Sequence, residues 1–167
     1  MAQSKDGAEL GSIGSLLILT IVMAPIGAIL LIIAIYKLSK SLGDRLIWRY
    51  TLYALLIGIA GVVALIPASM LLSMYLSANA FGNPTLTYYI SNAIMWMVPY
   101  PFTIGSGYLW RRAFRELAIV SSIESFNSTA KWVWYGALTG IIPIAGAILE
   151  WIAYYHAYKS FRALEVR

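Results

Sequence analysis

From Tyr50 to Trp110 the chain runs for 61 residues without an Asp, Glu, Lys or Arg. A water-soluble fold has little use for such a stretch, because about a quarter of the residues in soluble domains are charged. A bilayer does have a use for it: its hydrocarbon core, about 30 Å thick, takes about 20 apolar residues per helical crossing. The run is too long for one crossing and suits two, with Phe81, Gly82, Asn83 and Pro84 supplying turn chemistry between them. The whole chain agrees, at 60% hydrophobic and 11% charged. The sequence therefore predicts an all-α, polytopic membrane protein in which residues 1–167 form one integral membrane domain. Four transmembrane helices are expected at about 12–38, 50–78, 88–110 and 132–158, with exposed tails at 1–11 and 162–167.

Prolines interrupt these segments. Ala24, Pro25 and Gly27 fall inside the first, Pro67 inside the second, Pro99 and Pro101 inside the third and Pro143 inside the fourth. Membrane helices tolerate proline when neighbours satisfy the freed carbonyl, so spans kinked at proline are expected. For the first segment, two half-helices dipping into the membrane are the alternative. The helix of the third span is expected to continue past Trp110, since Arg111 and Arg115, and Arg112 and Glu116, stand four apart on one helix face, and Asn127, Ser128 and Thr129 offer N-caps to the last helix.

The first and last segments also share sequence. Gly27 to Leu42 reads GAILLIIAIYKLSKSL and Gly146 to Phe161 reads GAILEWIAYYHAYKSF, identical at nine of sixteen positions. In a four-span chain the two copies run in opposite directions, which makes them an internal inverted repeat. A re-entrant third segment is the alternative, and it would bring the C-terminus to the side of the first loop.

Charge sets the orientation. Lys37, Lys40, Arg45, Arg49, Arg111, Arg112, Arg115 and Lys131 fall on the two connecting loops and their flanks, against Lys5, Lys159, Arg162 and Arg167 on the terminal side. The positive-inside rule then places the protein in the cell membrane with its basic loops cytoplasmic and its termini outside. The net charge of +5 is accounted for by these membrane-flanking positions, so lipid is the expected partner and nucleic acid is not. On that topology the sequon Asn127-Ser128-Thr129 faces the cytoplasm and serves only as a cap.

Chemistry-bearing residues are few. With no cysteine and one histidine, His156, neither a thiolate nor a clustered-histidine metal site can be built. No phosphate loop, dinucleotide fingerprint or paired-carboxylate constellation is present, so neither a cofactor nor catalysis is expected. Glu150 is the one ionisable residue well inside an expected span, where a charge costs roughly 2.5–3.5 kcal/mol on insertion scales. Two readings stand for it: a proton or cation site, or a hydrogen-bonded carboxyl in a helix interface with Asn92 or a tyrosine such as Tyr154 as partner. Its counterpart in the first copy is Leu31. Ala54-x-x-x-Gly58 and Gly136-x-x-x-Gly140, together with Gly146 and Ala147, are small residues at helix-packing spacing.

LGSIGSLLIL (Leu10 to Leu19), PIGAILLIIAIYKLSKSLGDRLIWRYTLY (Pro25 to Tyr53) and RRAFRELA with the proline-containing helix that follows (Arg111 to Ile152) resemble an uncharacterised family of small archaeal multi-pass membrane proteins, a domain of unknown function. The resemblance covers most of the chain and is most specific at the L-S-K-S-L-G-D-R loop and the R-R-A-F-R-E-L helix. It implies a membrane location and an archaeal source, and it brings no catalytic residues. Taken with the residues, it favours a non-catalytic structural or accessory subunit acting through helix packing and oligomerisation, either as a homo-oligomer or with other membrane subunits. The rival reading is a small transporter or channel with a polar path near Glu150.

Overall fold

The 12–38 stretch that the sequence reads as one kinked helix is two antiparallel helices. The computed structural model describes residues 2–20, 22–78 and 84–166. Among them it contains α1 (Ala2–Leu19), α2 (Ala24–Ser41), α3 (Arg45–Ala78), α4 (Pro84–Met97), α5 (Tyr100–Ser121), α6 (Ser125–Thr139) and α7 (Pro143–Glu165), with no strand. The expected turn at 81–83 lies outside the described residues.

Proline chemistry explains the breaks. The ring fixes φ and removes the N–H, which suits a first turn whose donors have no partner inside the helix. Pro25 and Pro143 stand in the first turns of α2 and α7, and Pro99 and Pro101 stand at the start of α5. Only Pro67 lies in a helix interior, and α3 continues through it. The turn before α2 is reinforced by Thr20, whose hydroxyl and backbone N–H both donate to the Leu17 carbonyl, at 2.7 and 3.1 Å. The expected last span breaks in the same way between Thr139 and Pro143, and the third breaks at Val98 and Pro99. Asn127, Ser128 and Thr129 do not cap a helix; they lie within α6, which starts at Ser125 with no side-chain cap.

Each hairpin is closed by a contact between glycines. A Cβ added to Gly27 would sit 2.6 Å from the Gly14 carbonyl oxygen, and one added to Gly14 would sit 2.8 Å from that of Gly27. In the second hairpin a Cβ on Gly146 would lie 2.9 Å from Gly140 Cα. The duplicated stretch begins at the same point of each second helix: Gly27 N–H donates to the Met23 carbonyl and Gly146 N–H to that of Ile142, both at 2.9 Å.

Helix directions follow from pairwise contacts. Gly7 meets Leu38 while Gly14 meets Gly27, so α1 and α2 are antiparallel. Gly61 meets Phe102 while the Ser106 hydroxyl donates to the Ala54 carbonyl at 2.9 Å, so α3 and α5 are antiparallel. Gly107 faces Ala137 and Phe114 stacks on Phe126, which makes α5 and α6 antiparallel as well. Consequently α2, α5 and α7 run one way and α1, α3 and α6 the other. The six form a closed circuit in the order α2, α1, α7, α6, α5, α3, with α4 packed against α3 and α5.

Two sequence-based expectations change. The copies of the shared stretch run in the same direction, so they are not inverted. Both described chain ends and both basic loops lie at one end of the molecule, where separate spans would have put them at opposite ends. All the described Lys and Arg side chains belong to this end, as do all the Asp and Glu apart from Glu150. The tightest core is here too. Ile35, Leu38, Ile47 and Leu117 are fully buried around an aromatic file of Trp110, Phe114, Phe126 and Phe161, with successive ring centroids 5.8, 6.3 and 5.1 Å apart. The other half exposes large apolar side chains, among them Val62, Met70, Leu71 and Met74, each about two-thirds exposed. Among the described residues, two helices are long and apolar enough to cross a membrane, α2 and the 33 residues Arg45–Ser77 of α3.

If the glycine crossings hold the hairpins, Gly27→Ala destabilises the fold by about 1–3 kcal/mol through overpacking against backbone. Gly58→Ala, whose methyl would meet only Ser106 Oγ at 3.7 Å inside α3, is neutral or stabilises by up to about 1 kcal/mol. Thermal unfolding in detergent, followed by circular dichroism, compares the two.

Candidate functional site

Helices α2, α3, α5, α6 and α7 line an open cavity of about 260 Å³. Its floor is the packed core, reached through Leu31, Trp110 and Phe114, and its walls carry Gly58, Gly61, Phe102, Thr103, Ser106, Glu150 and Tyr154. The space exists because small residues stand where bulk would fill it. Gly58 leaves the α3 wall bare, Gly61 makes room for Phe102, and Ala153 is the small residue on α7.

Glu150 is delivered to this cavity by the hairpin. Gly136 lets α7 approach α6 so closely that a Cβ there would lie 3.0 Å from Glu150 Cγ. Among the described residues the Glu150 carboxyl has neither a hydrogen bond nor an ion pair; the one ion pair found is Arg162 with Glu165 at 3.2 Å. Tyr154, one turn further along α7, lines the same cavity. Thr103 and Ser106 supply hydroxyls from α5, already committed as donors to the Pro99 carbonyl at 3.2 Å and the Ala54 carbonyl at 2.9 Å. Their oxygens still accept. The chemistry available is one carboxyl with accepting hydroxyls nearby, a set suited to a proton or to a positively charged group. Among the described residues no three His, Asp or Glu side chains come together as a metal site.

The other residues singled out in the sequence divide between this cavity and elsewhere. Asn92 is not brought to Glu150: its amide donates to the Tyr88 carbonyl of its own helix at 2.9 Å. Gly58 lies on the cavity wall, while Ala54 is fully buried with its carbonyl accepting from Ser106. Gly136, Gly140 and Gly146 sit on the α6–α7 contact, and Ala147 is exposed. His156 is outside the cavity, edge-on to Tyr155 with ring centroids 6.0 Å apart.

The basic residues ring the opposite end. Tyr108 accepts from Arg112 Nε and Nη2 at 3.1 and 2.7 Å, which holds that guanidinium above its ordinary value. Lys37, Lys40, Arg45 and Arg49 flank the α2–α3 turn, and Arg111, Arg115 and Lys131 flank the α5–α6 turn.

Sequence reasoning did not find Thr103, Ser106 or Leu31 as cavity residues. For Leu31 a signal existed: it and Glu150 both fall eight positions after their N-caps, Met23 and Ile142, so equivalent helices carry them to the same depth. No comparable signal marks the α5 hydroxyls, whose placement depends on which face of α5 meets α3.

The Glu150 side chain lines the cavity but is itself exposed, so Glu150→Leu, which installs the residue of the other copy, is expected to change stability by less than about 0.5 kcal/mol, read from thermal unfolding in detergent.

No solved structure matches the chain. A curated relative, an uncharacterised protein of Methanocaldococcus jannaschii, is 26% identical over 164 residues, covering 90% of this chain and 91% of that protein. The family model described as "Protein of unknown function (DUF996)" matches residues 23–154, from the turn before α2 to Tyr154 in the cavity wall. The chain belongs to that family of proteins of unknown function.

Proposed function

We propose that the chain is an integral membrane protein whose charge-free half lies in the bilayer and whose Glu150 cavity takes a proton or a cationic group on a transport path. The observation that carries this reading is a lone carboxyl without a partner, facing a cavity between helices in the half that has no other charge. Intramembrane carboxyls of this kind face protein or water and mark ion or substrate paths.

Helix lengths shape the proposed placement. Although α2 as a whole is long and apolar enough to cross, it carries Lys37 and Lys40 near its end, and its charge-free part, residues 24–36, rises about 20 Å against a hydrocarbon core about 30 Å thick. α3 rises about 50 Å and spans it with excess. The α1–α2 and α6–α7 hairpins then enter from the basic side and turn back within the bilayer, while α3 and the α4–α5 pair cross it. Irregular backbone at the hairpin tips is acceptable there only where it is covered by protein or faces a cavity. By the positive-inside rule the basic end, with both described chain ends, is cytoplasmic.

The second reading is a non-catalytic accessory subunit, and the exposed apolar face of α3 favours it. Such a face fits other membrane helices as well as lipid, in a homo-oligomer or with other subunits.

Two measurements test these readings. In liposomes, Glu150→Leu is expected to abolish proton or monovalent-cation flux while assembling normally; flux unchanged by the substitution rejects the Glu150 path and leaves the accessory reading. Single cysteines at Ser125 and Ala163, in a chain otherwise free of cysteine, are expected to react with an impermeant thiol reagent from the same side. Labelling from opposite sides would overturn the hairpin placement.

A further inference from the structure

At the basic end, two clefts between neighbouring helices have the same composition. The first, about 590 Å³ between α2 and α3, is lined by Lys40, Arg45 and Arg49 with Tyr36, Trp48 and Ser39. The second, about 400 Å³ between α5 and α6, is lined by Arg111, Arg115 and Lys131 with Trp134, Tyr135 and Asn127. Each holds three cations, two aromatic rings and one small polar side chain, and no Asp or Glu lines either. None of the six cations is in an ion pair among the described residues. Surface cations are ordinarily interspersed with acids that offset their repulsion, so three uncompensated cations in a cleft mark a place where negative charge is missing.

The aromatic residues set the depth and support the cations. Arg111 lies over the Trp134 ring at 5.5 Å and Lys131 over Tyr135 at 5.8 Å, while Tyr36 and Trp48 meet edge to face at 4.9 Å. Tyr and Trp prefer the headgroup level of a bilayer, with their apolar bodies toward the acyl chains. In the placement proposed above, both clefts lie at that level, with apolar helix faces continuing toward the membrane interior. A soluble anion would use the cations and leave the aromatic belt and the adjoining apolar faces without a role. An anionic lipid uses all three.

We infer that the two clefts are binding sites for the phosphate-bearing headgroup of an anionic lipid, one on each side of the circuit of helices. In each cleft two arginines one turn apart contribute planar donor forks suited to phosphate oxygens, and a lysine from the neighbouring helix adds a point charge. A lipid seated there bridges two helices joined by a short turn, α2 with α3 and α5 with α6. The inference depends on the bilayer placement and not on Glu150.

The test uses the full chain purified in mild detergent and offered equimolar phosphatidylglycerol and phosphatidylcholine of the same chain length, with retained lipids counted by native mass spectrometry. Two phosphatidylglycerol molecules are expected, retained roughly tenfold over phosphatidylcholine. Arg111→Gln with Arg115→Gln removes one, and Arg45→Gln with Arg49→Gln removes the other. The lipid kept by each double variant shows that it is folded. Glu150→Leu leaves the count at two, so failure here is distinct from failure of the Glu150 path. Equal retention of the two lipids, or adducts that survive all four substitutions, overturns the inference. Displacement of phosphatidylglycerol by inorganic phosphate alone also overturns it, since the clefts would then be sites for a soluble anion.

Discussion

Two helix backbones reach contact distance only where neither presents a side chain, and the architecture of this protein depends on two such crossings. Gly14 against Gly27 closes the first hairpin and Gly140 against Gly146 the second. Because each follows a proline-started turn, α2 and α7 set out from equivalent positions and run the same way. α1 then fills the space between α2 and α7, with Phe161 seated on Gly11. The cavity is a result of this geometry: the closed circuit keeps α7 facing α3 and α5 across small residues, and Glu150 projects into the gap.

Charge segregation follows from the same directions. Three helices start at the basic end and three finish there, so residues far apart in sequence, from Lys5 to Arg162, gather on one end without a long loop to carry them. In the chain this looks like four separate basic clusters. Only the antiparallel sequence of turns joins them, and only then do the two cation-lined clefts take shape from residues on adjacent helices.

The all-helical class was legible because it needs only composition and the long uncharged run, and neither depends on tertiary contacts. The equivalence of Leu31 and Glu150 was legible from the shared sixteen residues, since equal register in equivalent helices gives equal depth. The hairpins were not. A proline between apolar runs is compatible with a kink inside a helix and with the first turn of a new one, and what separates Pro67 from Pro25 and Pro143 is whether glycines nearby allow the chain to fold back on itself. Asn92 could not be placed either, because an amide in a helix chooses between its own backbone and a distant partner only once its neighbours are set. The same holds for Asn127, Ser128 and Thr129, whose capping chemistry lost to a helix that begins two residues earlier, at Ser125.

The unequal lengths of the helices give the molecule a taper. Six helices stand side by side at the basic end, while α3, with 34 residues against the 18 of α2, outruns the hairpins by about 24 Å. Beyond the hairpin tips the cross-section falls to α3 and α4. In the proposed placement the protein therefore displaces far more lipid from the leaflet at its basic end than from the opposite one. An inclusion of that shape acts as a wedge: it relieves or imposes bilayer bending according to the local curvature, and its energy changes with where in the membrane it sits.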